Sequence, residues 1–260
     1  MATVNVCVIR TAGTNCDEET RYAFEMVGAR ADLIHVNNLI AKEHTLADYQ
    51  ILAIPGGFTY GDDVASGKVF AVELSSMLGD MISAFVAKGG LVIGICNGFQ
   101  VQVKMGLLPD AKIATAAERN LTLTHNDSNK FEARWVWLEA DKNAKCLFVE
   151  GGERIYVPVA HGEGKLVARR PDVIQAMEKA GQIAYRYVNE DGSAPVYPAD
   201  PNGSIGHIAG VCDPSGRIFG LMPHPERHLF PYQNPQWTRR GLAKEGDGVR
   251  VFRRAIAACR

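Results

Sequence analysis

Short apolar runs alternate with amphipathic stretches along the first hundred residues of the chain. Four apolar runs predict buried strands, at residues 5–10, 31–36, 51–57 and 91–96. Helix-like stretches lie at residues 17–27, 72–87 and 99–105. Nearly continuous apolar strands are typical of a parallel sheet that is covered on both faces. The pattern therefore predicts an α/β fold with a doubly wound, largely parallel central sheet and helices on both faces.

The second half of the chain adds a β-rich portion to this plan. Runs such as ERIYVPV and QIAYRYV predict further strands, and DPSG at residues 213–216 predicts a turn between two of them. No Gly/Ser linker or internal repeat divides the sequence. We therefore expect a single domain over residues 1–260, with a C-terminal extension from about 230 to 260 that ends in a helix at 249–259.

Composition and net charge limit the kinds of molecule and the cellular compartment expected for this protein. Hydrophobic residues make up 47% of the 260 residues, which is typical of a globular protein. The net charge is −1, so no electrostatic attraction to nucleic acid or to an anionic membrane is expected. No apolar run approaches the roughly 18 residues of a membrane span. The N-terminal sequence lacks a basic segment typical of a signal peptide. The six cysteines form no C-x-x-C pair, which indicates reduced thiols, most of them core fillers, in a cytoplasmic protein.

One cysteine stands between two glycines at the end of an apolar run, in the sequence GICNGFQ at residues 94–100. A nucleophile with glycines two residues away on each side is typical of a sharp turn from strand to helix. Cys96 would then lie at a helix N-terminus, which stabilises a thiolate, and the backbone N–H of Asn97 would face a developing oxyanion. The alternative is a buried cysteine with glycines that permit tight packing.

A thiolate nucleophile needs a histidine, which in turn needs an orienting group. In MPHPERH, prolines at 223 and 225 restrict the backbone on both sides of His224. Residues two apart in an extended chain face the same side, so Glu226 can accept a hydrogen bond from His224. The Gly-rich stretch after the third strand, with Gly57, would supply further oxyanion donors. Each stretch also has a non-catalytic interpretation. The PHPE stretch could be a proline-rich loop with solvated charges, and the Gly-rich stretch an ordinary turn at a strand end.

Nucleotide and metal sites are disfavoured. DVASGKV at residues 63–69 lacks the first glycine and the final Ser/Thr of a phosphate loop. Histidines and glutamates cluster at residues 161–163 and 224–228, but the proline-containing stretch does not suit the helix of an H-E-x-x-H zinc site. We therefore expect no metal and no cofactor in this chain.

Taken together, the motifs resemble those of the class I glutamine amidotransferases. The resemblance covers nearly the whole chain and includes AGTNCDEET, PGGFTYGDDVASGK, GICNGFQ, NDSNKFEARWV, PVAHGEGK, DPNGS and PHPER. It implies that Cys96 is the nucleophile, His224 the general base and acid, and Glu226 its orienting group. The resemblance further implies an oxyanion and substrate site formed by Gly57, Phe58, Asn97, Gln100, Ser128, Asn129 and Phe131.

Within that family, the chain is most similar to members that supply ammonia to an ATP-dependent synthetase of purine biosynthesis. The resemblance implies glutamine as substrate, a synthetase subunit and a small bridging subunit as partners, and ATP and magnesium on the synthetase. The chain departs from the family at Ala12, where proline is common, and at Asn129, where glycine is common. Two alternatives stay open: a DJ-1-like cysteine hydrolase and a non-catalytic module that binds a partner.

Overall fold

The computed structural model describes residues 3–260, and the predicted domain also includes residues 1 and 2, which lie outside the described residues. The strands of this part of the chain are β1 (Asn5–Arg10), β2 (Arg30–His35), β3 (Ile51–Ile54), β4 (Leu91–Ile95), β5 (Leu121–Thr124), β6 (Glu132–Ala140), β7 (Arg154–His161), β8 (Lys165–Ala168), β9 (Ile183–Val188), β10 (Ile208–Cys212) and β11 (Ile218–Leu221). The helices are α1 (Asp17–Met26), α2 (Val36–Ile40), α3 (Lys68–Met77), α4 (Gly79–Ala87), α5 (Asn97–Met105), α6 (Leu107–Asp110), α7 (Pro171–Ala180), α8 (Trp237–Arg240) and α9 (Val249–Ala258).

Nine strands form one mixed sheet in the order β2-β1-β3-β4-β11-β10-β9-β6-β7. Neighbouring strands are parallel from β2 to β11 and antiparallel from β11 to β7. Strands β5 and β8 form a separate antiparallel pair. The predicted α/β class is confirmed, and the antiparallel half comes from the β-rich second half of the chain.

The strand order brings three distant loops to one edge of the sheet. Strand β4 lies between β3 and β11, parallel to both, with Ile54 opposite Gly94 and Leu221 opposite Ile95. The carboxyl ends of three neighbouring strands therefore meet. The Gly-rich loop follows the first of them, Cys96 the second and His224 the third. Ligands bind at this edge in open α/β sheets.

Two predicted elements differ from those observed. The strand predicted at residues 51–57 ends at Ile54, because Pro55 follows and has no backbone N–H for a ladder hydrogen bond. The helix predicted at 72–87 is instead α3 and α4, which meet at an angle of 77°. Gly79, a poor helix former, begins the second of the two. No single helix among the described residues is long and apolar enough to cross a membrane; α3 and α4 reach that length and composition only together, across the bend.

The C-terminal segment supports the loop that carries His224. Helix α9 packs against α1, with Phe24 and Phe252 edge to face and their ring centroids 5.0 Å apart. Just before α9, the backbone N–H of Gly248 donates to the carbonyl of His228 at 2.9 Å. A Cβ at Gly248 would lie only 1.8 Å from the carbonyl oxygen of Pro225, so only glycine permits this approach.

Candidate active site

Cys96 occupies the sharp turn between β4 and α5. Its backbone φ of +51° is unusual for any residue but glycine, and costs about 1–3 kcal/mol that the surrounding packing must offset. The flanking glycines permit the turn, because a Cβ at Gly98 would lie 1.8 Å from the carbonyl oxygen of Ile54. The thiol is 5% exposed and donates to the carbonyl oxygen of Ala160 at 3.6 Å. The thiol thus lies at the N-terminus of a nine-residue helix.

His224 and Glu226 form a buried pair. His224 Nδ1 donates to Glu226 Oε1 at 2.6 Å, and each residue is 2% exposed. The extended geometry predicted for this stretch is wrong for Glu226. Pro225 begins a single 3₁₀ turn, Pro225–Arg227, which folds the carboxylate back toward the ring. The hydrogen bond fixes the tautomer, and Nε2 has no other partner within the described residues.

The electrostatics of the pair favour a charged imidazole. Burial by itself lowers the pKa of His224, but the neighbouring Glu226 carboxylate and the Cys96 sulfur hold the pKa well above its usual range. A protonated ring next to a thiol is the arrangement that a cysteine nucleophile requires, because the ion pair stabilises the thiolate.

A cavity of about 240 Å³ opens beside this pair. Its walls are formed by Asn15, Cys16, Gly57, Phe58, Cys96, Phe131, Ala160, His224 and Arg227. Phe58 and Phe131 are 44% and 53% exposed, and their ring centroids are 6.2 Å apart. Cys96 and His224 therefore share a cavity with two exposed aromatic rings.

The predicted oxyanion residues Gly57 and Asn97 belong to two chain segments, the loop after β3 and the first turn of α5. Gly57 has a φ of +146° and forms an isolated bridge with Thr14. A Cβ at Gly57 would be 2.7 Å from the carbonyl oxygen of Gly13, so this loop also requires a glycine. The backbone N–H of Phe58 is occupied, since it donates to the same carbonyl at 2.9 Å. Asn97 is fully buried at the first position of α5.

Gln100 is buried and does not line the cavity. Its side-chain oxygen accepts from Asn97 Nδ2 at 3.0 Å, and its Nε2 donates to the carbonyl oxygen of Glu163 at 2.6 Å. Gln100 is 3% exposed and is absent from the cavity wall. The structure therefore places its amide in a network inside the protein, and a direct contact with glutamine stays a prediction.

The segment that contains Ser128 and Asn129 lies outside the cavity wall. The hydroxyl of Ser128 donates to Glu132 Oε1 at 2.5 Å. Asn129 has a φ of +53°, a conformation that glycine adopts freely and asparagine tolerates better than most residues. This explains physically why asparagine can replace the glycine common in similar sequences. Only Phe131 of this segment reaches the cavity.

Sequence reasoning missed four residues of the cavity wall, Asn15, Cys16, Ala160 and Arg227, and the buried His161 that follows Ala160. Cys16 lines the cavity, and Arg227 donates to its sulfur at 3.1 Å and to Glu19 at 3.0 Å. His161 is 3% exposed, and burial, with a smaller effect of His224, lowers its pKa to about 3. The sequence offered one weak signal, because Cys16, Arg227 and His161 each lie in a motif of the resemblance.

The chain is similar to proteins of known family. Residues 3–259 match the model of the CobB/CobQ-like glutamine amidotransferase domain. The chain belongs to this family. The predicted family and enzyme class are thereby confirmed, and a DJ-1-like hydrolase is no longer favoured.

Relatives and solved structures agree with this assignment. A Dehalococcoides mccartyi protein named phosphoribosylformylglycinamidine synthase subunit PurQ is 48% identical over 98% of both chains. An Archaeoglobus fulgidus protein of the same name is 38% identical over 97% of this chain and 96% of the relative. The structure of PurLQS from Thermotoga maritima matches over 100% of both chains, with 31% identity and a TM-score of 0.75.

Proposed function

We propose that this amidotransferase is the glutaminase subunit of phosphoribosylformylglycinamidine synthase. It hydrolyses L-glutamine and delivers the ammonia to an ATP-dependent synthetase subunit, which converts formylglycinamide ribonucleotide to formylglycinamidine ribonucleotide in purine biosynthesis. The name shared by relatives that match along nearly their full length supports this reaction. The observation that carries the chemistry is the 2.6 Å hydrogen bond between His224 and Glu226, beside a thiol in a strained turn.

The first half-reaction forms a thioester. The Cys96 thiolate attacks the side-chain carbonyl carbon of glutamine, and backbone N–H groups near Gly57 and Asn97 stabilise the oxyanion. The C–N bond then breaks as His224 gives its Nε2 proton to the leaving nitrogen, which departs as ammonia. The products are a γ-glutamyl thioester on Cys96 and a neutral imidazole.

The second half-reaction restores the enzyme. The neutral His224 removes a proton from water, whose oxygen attacks the thioester carbonyl. The C–S bond breaks, which releases glutamate and returns the thiolate and imidazolium. Throughout, Glu226 holds the ring in one tautomer and stabilises its positive charge, the role of the orienting carboxylate in a triad.

Ammonia requires a recipient close to the site, because ammonia that reaches bulk water is protonated and loses its nucleophilicity. We propose that a synthetase subunit and a small bridging subunit dock on this chain. ATP and magnesium belong on the synthetase, and this chain needs no cofactor for the steps above. A cytoplasmic location stays a prediction.

The test uses the reconstituted complex and two nitrogen sources. With wild-type chain, glutamine labelled with nitrogen-15 in its side-chain amide should transfer the label to the product. With Cys96→Ala, product should form from ammonium salts but no longer from glutamine. Product formation from glutamine by the Cys96→Ala complex, or no product from ammonium by either complex, would contradict the proposal.

A further inference from the structure

The sequence predicts that most of the six cysteines fill the core, but the surroundings of Cys16 are not those of a core filler. Cys16 occupies the position directly before α1, is 1% exposed and lines the active-site cavity, but its side chain makes no capping hydrogen bond to the helix. Its sulfur lies among polar groups, 3.1 Å from Arg227 Nη2 and 3.4 Å from Asn15 Oδ1. An apolar filler would have apolar neighbours instead, so the position of this thiol needs another explanation.

The groups around Cys16 have the chemistry of metal ligands. Cys16, His224 and Glu226 are all buried, and one potential ligand atom from each lies within 4.8 Å of the other two. No other group of three such residues within the described part of the chain meets this spacing. Glu226 Oε2 is also buried and has no hydrogen-bond partner among the described residues. An unpaired buried carboxylate oxygen is costly, so Glu226 is able to accept a cation in addition to its contact with His224.

The ligand set selects the cation. Sulfur, imidazole nitrogen and carboxylate oxygen together are typical of zinc, whereas calcium and magnesium prefer oxygen alone. One thiolate and one carboxylate also neutralise a divalent ion. Zinc binding would displace the proton of the Cys16 thiol, and Arg227, which donates to the sulfur and is itself paired with Glu19, would stabilise the thiolate that forms. The charges therefore balance without a further ligand from the protein.

We propose that Cys16, His224 and Glu226 form an inhibitory site for Zn²⁺ within the active-site cavity. The ion binds His224 through Nδ1, the nitrogen that faces Glu226, and replaces the proton held between them. Two ligands at zinc distances stand roughly 3.3 Å apart, so the 2.6 Å contact opens by less than an ångström. Bound zinc removes the orienting hydrogen bond of the triad and stops glutamine hydrolysis. Only this inhibition rests on the proposed function, whereas the binding does not.

Measurements of Zn²⁺ binding distinguish this site from binding of zinc to Cys96, the proposed nucleophile. Zn²⁺ affinity of the full chain is measured by competition with a chromophoric chelator, in wild type and in three variants. Cys96→Ala has no nucleophile and should bind zinc as wild type does. Cys16→Ser keeps the size of the side chain but loses a ligand, and its affinity should fall at least about tenfold. Cys259→Ser, a partly exposed thiol at the end of α9, is the matched control and should bind as wild type does.

A spectroscopic probe identifies the sulfur ligand. Cd²⁺ should produce a thiolate charge-transfer band in wild type and in Cys96→Ala but not in Cys16→Ser. Glutaminase inhibition by Zn²⁺ should be reversed by a chelator and should need at least about tenfold more zinc in Cys16→Ser. Thermal unfolding of each variant checks that it is folded, and Glu226→Gln provides a second ligand variant that should also bind more weakly. Binding lost in Cys96→Ala but kept in Cys16→Ser, or equal in all variants, would overturn the inference.

Discussion

The side-chain oxygen of Asn97 accepts two hydrogen bonds from Thr59, from the backbone N–H at 3.2 Å and from the hydroxyl at 2.6 Å. Asn97 directly follows Cys96, and Thr59 lies two residues after Gly57. One buried amide therefore joins the two backbone segments proposed to hold the oxyanion. Donors that are fixed before the reaction stabilise developing charge without reorganisation.

Thr59→Val should lower the turnover number while leaving the fold intact. The valine keeps the shape of the side chain but removes the 2.6 Å hydrogen bond, worth about 1 kcal/mol, so we expect a fall of roughly fivefold. Steady-state kinetics of glutamate release measure it. Ser76→Ala, which removes an exposed hydroxyl from α3, is the control. Equal turnover in both variants would show that the loop is held by other contacts.

Glu226→Gln should slow glutamine hydrolysis by about a hundredfold to ten thousandfold, yet leave more activity than Cys96→Ala. Burial opposes the charged form of His224, and the carboxylate is the main group that raises its pKa. The variant should therefore lose its protonated imidazole at lower pH. The alkaline limb of kcat/KM should move to lower pH than in wild type.

Glu163→Gln is the matched control for this change. Glu163 accepts from the backbone N–H of Ser66 at 3.3 Å and has no contact with His224. Its variant should keep the wild-type alkaline limb even if its rate falls. A shifted limb in Glu163→Gln with an unchanged one in Glu226→Gln would transfer the orienting role to Glu163.

A glutamine affinity label such as 6-diazo-5-oxonorleucine should modify Cys96 and spare Cys16, although both line the cavity. Burial raises the pKa of Cys16, which keeps it protonated and poorly nucleophilic. Cys96 has the helix N-terminus and the histidine in its favour. Peptide mass mapping reads the modified position. A label found mainly on Cys16, or on Cys7 in the core, would contradict the assignment of the nucleophile.

The sequence predicted those features of the site that depend on residues close together in the chain. The glycine spacing around Cys96 demands a tight turn, and the prolines around His224 restrict the chain enough to predict its contact with Glu226. The same reasoning erred on the form of that contact, because a 3₁₀ turn and an extended chain both bring residues two apart together. Local rules also missed the bend before Gly79.

The contacts that were missed join residues far apart in the chain. Cys16 and Arg227 are separated by 211 positions, and Thr59 and Asn97 by 38. Their meeting depends on the strand order β1-β3-β4-β11 within the sheet, which no local pattern encodes. Hydrophobic patterning predicted that these strands exist but gave no information about which loops would meet.

His161 should make the folded state less stable in acid. Burial and the nearby His224 lower its pKa to about 3, against 6.5 for an ordinary histidine. As the pH falls below 6.5, the unfolded chain binds a proton that the folded chain resists until about 3, so stability is lost across this window. The expected slope is about 1.4 kcal/mol per pH unit.

Urea unfolding at pH 7 and pH 5 measures this effect. Wild type should lose about 2 kcal/mol more than His161→Gln between the two pH values, because the variant has no titrating ring. Other groups cancel in the difference. His44→Gln, at an exposed position, should follow wild type. Equal losses in wild type and His161→Gln would mean that the buried ring does not resist protonation.

The loop between β3 and α3 has the features of a segment that a partner rearranges. Tyr60, Asp62 and Val64 all have positive φ, a conformation that costs about 1–3 kcal/mol per residue outside glycine. Val64 is also 90% exposed, so it gains no burial in return. The hydrogen bond from Thr59 to Asn97 joins the same loop to the proposed oxyanion site. Docking that covers Val64 can therefore change the catalytic geometry.

We expect the isolated chain to hydrolyse glutamine slowly, and the rate to rise strongly in the complex that also holds ATP and formylglycinamide ribonucleotide. Glutamate release is measured for the chain alone, for the reconstituted complex and for the complex with both ligands.

Val64→Asp should weaken the increase in rate without lowering the rate of the isolated chain, because Val64 is exposed to solvent and does not line the cavity. Val72→Asp, on the exposed side of α3, is the control for an added charge. Equal rates in all three states would rule out coupling between the glutaminase and its partner, and an unchanged increase in Val64→Asp would place the docking surface elsewhere.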